Sequence, residues 1–304
     1  MPTTLSGSER MRKGTVVSLL WCSLVLATSA APLSDSLVLP PHPRLRLGVD
    51  DVARIRGLTG AGGDPQAIDL LHNITLHAEF VLAQPIPNGT ALLCETILDH
   101  MYTLGMVYHL SANATLRSLA VQRAATELQG AAALASWNPR RFLTVAETMH
   151  GVSIGYDWFY HVLTQPQKTL IEDGLYRAGL GVGLACWHDN CSWTPGIPDT
   201  GNCSGCWWIR ADMNWNLVSN GGIAIAALAL GDVPRYAAAA RQALYAFYPT
   251  LAPCPSAIGS SANLCQPLPA RSPLGVALIA AAVHAQVPVC ARFPPRHAGL
   301  RASE

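Results

Sequence analysis

The chain has 304 residues and a formal net charge of +1, with 13% charged and 50% hydrophobic residues. That length is ample for a full core, and a near-neutral chain without a Lys/Arg-rich run gives no electrostatic footing for nucleic acid. No Gly-rich phosphate loop, His-Glu-x-x-His or Gly-x-Ser-x-Gly occurs, so nucleotide, metalloprotease and serine-esterase chemistry lack support, and neither a metal nor a cofactor is expected.

The beginning sets the compartment. Arg10, Arg12 and Lys13 precede the apolar run Thr15–Ala27, which closes on Ala27-Thr28-Ser29-Ala30-Ala31. A charged start, an apolar stretch too short to span a bilayer comfortably and a small-residue cleavage site predict a signal peptide over 1–31. The expected product is secreted and makes no membrane contact after cleavage; Leu274–Val287 is apolar but short and carries His284 and Gln286. Five glycosylation sequons agree, at Asn73, Asn88, Asn113, Asn190 and Asn202. Cys186, Cys191, Cys203 and Cys206 crowd one loop. Four thiolates could hold zinc, but a secreted loop bearing two sequons favours two disulfides, with the pairing left open.

Helices follow in series. Pro-rich Leu39–Gly48 leads into a short helix from Val49 with acid in its first turn. Asp64 and Pro65 start a long helix to about Leu82, ended by Pro85 and Pro87. Ala91–Leu110 and Thr115–Leu134 come next, separated by a short turn. In Phe142–Leu163, Val145, Met149, Val152, Tyr156, Phe159 and Leu163 fall at alternating steps of four and three, one continuous apolar stripe. Ile171, Leu175, Ala178 and Val182 repeat that spacing in a helix from Thr164–Pro166 to Ala185.

Beyond the cysteine loop, Trp207-Trp208-Ile209-Arg210-Ala211-Asp212-Met213-Asn214-Trp215-Asn216-Leu217-Val218-Ser219-Asn220-Gly221-Gly222 runs into Ile223–Leu230. From Asn216 to Leu230 there is no charge, which predicts a buried helix with its polar groups gathered at the N-terminal end. Amides and aromatics there suit a cleft for flat-faced sugar rings, whereas any single Asn could simply cap the helix. A last helix spans Pro234–Tyr248, and no period-two pattern persists anywhere.

The expected fold is therefore all-α. Helices of about twenty residues with short connections form antiparallel hairpins. Polar and apolar helices alternate, which suits an (α/α) toroid of inner and outer helices over 32–250. An open α-solenoid would need a fixed repeat period, and none is visible.

His42-Pro43-Arg44-Leu45, Phe142-Leu143-Thr144-Val145-Ala146-Glu147 with Ile154-Gly155-Tyr156-Asp157-Trp158, Trp207-Trp208, and Asn214–Gly222 with Ala226-Ala227-Leu228-Ala229 resemble, in that order, the helical domain of the heparinase II/III-like proteins of the chondroitin AC/alginate lyase superfamily. The resemblance covers roughly His42 to Tyr248. It implies an incomplete toroid and β-elimination on an acidic, uronic-acid polysaccharide. Removing the proton beside the uronate carboxylate loads that group with further negative charge, so amide or imidazole donors must stabilise it while a base and an acid move protons. By resemblance Asn214 is the neutralising amide, and Asn216 either assists it or holds the loop. Trp207, Trp208 and Trp215 are the stacking walls, with Asn220 beside them. His150 and Tyr156, on one helix, are the candidates for proton transfer.

The departures limit this. In active relatives the catalytic Tyr comes from a later Tyr-Trp-bearing segment and further His residues from a β-sheet domain, and neither pattern occurs here. Residues 251–304 hold eight prolines, four arginines and one acidic residue, and read as an irregular tail unlike the family. The expectation is a chain carrying the N-terminal part of such a lyase. The alternatives are an inactive carbohydrate-binding or helical interaction domain and, more remotely, a glycosidase using Glu147 and Asp212.

Overall fold

The computed structural model describes residues 39–187, 204–210 and 214–251. Among them the secondary structure is helical throughout, without a strand, which agrees with the all-α expectation. The signal segment 1–31, the tail from 252 onward, Asn190, Asn202, Cys191, Cys203 and Asp212 lie outside the described residues.

Nine α-helices are described: α1 (Val49–Thr59), α2 (Pro65–Ala83), α3 (Glu95–Leu110), α4 (Ala114–Ala133), α5 (Phe142–Trp158), α6 (Gln165–Leu175), α7 (Gly181–Trp187), α8 (Asn214–Leu230) and α9 (Ala237–Leu251). Their starts follow local chemistry. Asp64 Oδ1 accepts from the Ala67 N–H at 2.9 Å, with Pro65 at the first position of α2, and Asn113 Oδ1 caps α4 through the Leu116 N–H at 3.1 Å. Thr164 and Gln167 form a reciprocal capping box at the start of α6.

Several ends differ from the sequence expectation. The helix expected from Ala91 begins at Glu95, after a 3₁₀ turn over Gly89–Leu92 and a left-handed Cys94 at φ 63°. Cys94 donates its N–H to Thr148 Oγ1 on α5, so a tertiary bond sets where α3 starts. The stripe expected to continue to Leu163 leaves the helix after Trp158 and turns. The single helix expected up to Ala185 is α6 and α7 joined by a π-helical turn, Tyr176–Leu180, where Arg177 reaches out to the carbonyls of Ala132, Leu134 and Ala135.

The helices pack in two layers. α3, α5 and α8 lie side by side, and α2, α4 and α6 back them. Glycines permit the closest crossings. A Cβ on Gly151 would stand 2.8 Å from the Leu98 nitrogen, and one on Gly222 2.5 Å from the Ala146 carbonyl oxygen. Leu98 beside Gly151 and Gly105 under Trp158 make α3 and α5 parallel, and Gly222 on Ala146, with Arg44 joining Asp157 to the Ala229 carbonyl, gives α8 the same direction. Their N-terminal ends therefore share one end of the layer.

Candidate functional site

The N-terminal end of α8 is built from the tryptophans upward. Trp208 is fully buried, stacked on Phe142 with ring centres 4.5 Å apart and edge-on to Trp187. It belongs to the core, and no stacking wall for a ligand can be made from it as it stands. Trp207 is 46% exposed and meets the half-buried Trp215 at 4.9 Å, the two rings tilted by 41°. They form an accessible aromatic corner beside Asn214, whose side chain is exposed.

Amides hold that corner in place. Asn216 Nδ2 donates to the carbonyls of Trp208 (3.2 Å) and Ile209 (2.9 Å), and its Oδ1 accepts from Asn220 Nδ2 at 3.0 Å. Of its two expected roles, Asn216 takes the second, fastening the 3₁₀ turn Ser204–Arg210 to α8. Asn220 is buried, so it supports the site from beneath and does not face a ligand. A disulfide between Cys186 and Cys206, with Cα atoms 5.3 Å apart, ties the same turn to the end of α7. This pairs two of the four loop cysteines. Thus the anchored turn presents Trp207 to solvent against Trp215 and Asn214 at the start of α8.

The proton-transfer candidates lie elsewhere. Ala146 faces Gly222, so His150 sits roughly 18 Å along the helix axes from Asn214, counting 1.5 Å per residue over eight residues of α8 and four of α5. His150 is buried, its Nε2 hydrogen-bonded to the Tyr102 hydroxyl at 2.7 Å, and Arg46 donates to the Tyr102 oxygen at 3.1 Å. Burial, with Arg46 adding to it, pushes the imidazole down to about 3, which keeps it neutral. Tyr156 is fully buried and gives its hydroxyl to Glu172 Oε1 at 2.8 Å. Burial and the Glu172 charge drive that phenol far up, so it does not ionise. It stands near Asp232, at the opposite end of α8 from Asn214. Asn214, His150 and Tyr156 are therefore not gathered around one point. Glu147, the described half of the glycosidase pair, accepts from the free thiol of Cys94, which burial and that carboxylate push up to about 12.

Sequence reasoning missed a second polar assembly. The His42–Leu47 segment straps across the C-terminal ends of α5 and α8. Asp157, with no exposed surface, accepts from His42 Nδ1 (2.5 Å), from the Arg44 N–H (2.9 Å) and from the Leu45 N–H (2.8 Å). Arg44 grips Asp232 at 2.6 and 2.9 Å and the Ala229 carbonyl at 3.1 Å. Partial burial alone would raise the Asp232 carboxyl, but Arg44 and His42 hold it well below the usual carboxylate range. The Trp158 indole donates to the Leu45 carbonyl at 2.8 Å. The two quoted motifs, His-Pro-Arg-Leu and Tyr-Asp-Trp, are thus halves of one clasp. The available signal was Asp157 itself, a carboxylate inside an apolar helix, which needs donors to be tolerated.

No protein-family model matches the chain, and a search of curated proteins returned no match. Among the described residues no cluster of three or more His, Cys, Asp or Glu could hold a metal ion, and no helix is long and apolar enough to cross a membrane.

Proposed function

We propose that the chain is a secreted helical domain of the heparinase II/III-like kind, an incomplete (α/α) toroid that binds an acidic, uronic-acid polysaccharide and serves its cleavage by β-elimination. The observation that carries this reading is the exposed Trp207–Trp215 corner held beside Asn214 by the amide of Asn216. Aromatic faces suit the apolar faces of sugar rings. An exposed amide next to them can donate to a uronate carboxylate where charge develops. Parallel α3, α5 and α8 backed by a second helical layer suit the inner and outer shells of a toroid.

Binding is better supported than chemistry. Neutral His150, paired with Tyr102, is roughly 18 Å from Asn214 along the axes, and the Tyr156 hydroxyl is engaged by Glu172. That separation favours a second reading, a carbohydrate-binding domain without catalysis of its own.

The test is incubation of the secreted protein with alginate, heparan sulfate and chondroitin, recording unsaturated-uronate absorbance alongside binding. Absorbance growth with any of them is the expected result for the lyase reading. Binding without absorbance leaves the second reading standing. Neither signal with any of the three rejects both.

A further inference from the structure

α2 carries two apolar faces where a backing helix needs one. Leu71, Ile74, Ala78, Val81 and Leu82 pack inward. On the opposite side Leu70 (61% exposed), Leu76 (50%) and Phe80 (60%) stand in water. Exposed Asn73 lies inside that outer stripe, one turn after Leu70 and one turn before Leu76 and His77. Asn73-Ile74-Thr75 is a sequon, so the one described stretch where large apolar side chains line a helix's outer face is also an acceptor site for a sugar chain.

We propose that an N-linked glycan on Asn73 covers the outer face of α2 and keeps this face from associating with a second copy. The inference rests on the secretory part of the reading above. The donor is a lipid-pyrophosphate-linked oligosaccharide. The Asn73 amide nitrogen forms a bond to the first sugar's anomeric carbon and loses one proton. The sugar–pyrophosphate C–O bond breaks, and the lipid pyrophosphate departs with the bonding electrons. Helical side chains lean toward the N-terminus, so the first sugars lie over Leu70, and the following residues reach across the stripe. Sugar rings have apolar faces, and the bulk of the chain is solubilising, so the stripe is shielded without being packed. Uncovered, a row of Leu and Phe on one helix is a ready surface for self-association.

The full chain, secreted from a glycosylating eukaryotic host, is analysed by site-resolved glycopeptide mass spectrometry and sedimentation, as wild type, as Asn73→Gln and as Asn73→Gln with Leu70→Ser and Phe80→Ser. The expected result is a glycan on Asn73 and a monomer for wild type, a shift of roughly twofold or more in apparent mass for Asn73→Gln, and return to monomer for the triple variant. A bare Asn73 beside modified Asn88 or Asn113 overturns the inference and leaves secretion intact. A modified Asn73 whose removal leaves the protein monomeric also overturns it. A secreted protein with no modified sequon removes the proposal, while retention of the protein inside the cell, unmodified, removes the secretory reading with it.

Discussion

At the scale of single residues, the decisive question is whether each polar side chain is occupied by the fold or offered to solvent. Asn216, Tyr156 and Asp157 are occupied by hydrogen bonds within the fold, and buried Asn220 donates to Asn216 while its Oδ1 is left without a partner. Asn214 and Trp207 are offered. His42 is a buried residue whose state depends on pH. It is wedged between Asp157 at 2.5 Å and Asp232 at 3.6 Å and stacked on Tyr160 at 3.9 Å, with Tyr156 edge-on and Arg44 alongside. The 3.6 Å contact is an ion-pair distance and too long for a hydrogen bond. Burial opposes the charged imidazole, but the two carboxylates outweigh burial and the Arg44 repulsion, so its pKa is raised. A raised value means that the protonated ring belongs to the fold. Its stabilisation is complete below its unfolded value of about 6.5 and fades as pH climbs through the higher folded value. The melting temperature of wild type should therefore exceed that of His42→Gln most at mildly acidic pH, with the gap narrowing above neutrality. Parallel melting curves across that range would remove the clasp's charge dependence.

At the scale of elements, α5 is pinned from both sides by small residues. The Gly222→Ala variant brings a methyl against the Ala146 backbone, where neither helix can yield cheaply, and should cost about 1–3 kcal/mol. The check is the urea midpoint at constant slope. An unchanged midpoint would mean that the α5–α8 crossing is looser than 2.5 Å implies. The existence of these helices was legible in the sequence, because the four-and-three stripe of α5 and the starts at Asp64 and Thr164 are local signals. Their ends were not. Cys94 starts α3 through a bond to Thr148, and Arg177 anchors the π turn to carbonyls more than forty positions away in the chain; no window of sequence contains both partners. The site was legible in the same partial way. Aromatic and amide content marked the stretch 207–220, but which tryptophan faces water depends on how the 3₁₀ turn is fastened by Asn216 and the Cys186–Cys206 disulfide. Trp207 and Trp208 are neighbours in the sequence, yet one is surface and the other core. The clasp was invisible for the same reason, since His42 and Asp157 are 115 positions apart.

At the scale of the whole molecule, the parallel helices gather their N-terminal ends, and with them Asn214, Trp207 and Trp215, at one end of the layer, while the clasp secures the other. The central claim is that the end at Asn214 recognises an acidic polysaccharide. The most direct measurement is a binding titration of wild type, Trp207→Ala and Asn214→Ala against the same uronic-acid polysaccharide, with folding checked by circular dichroism. The account predicts that each variant keeps its helical signal and loses roughly tenfold in affinity, about 1.4 kcal/mol. Wild-type affinity in both folded variants would contradict it.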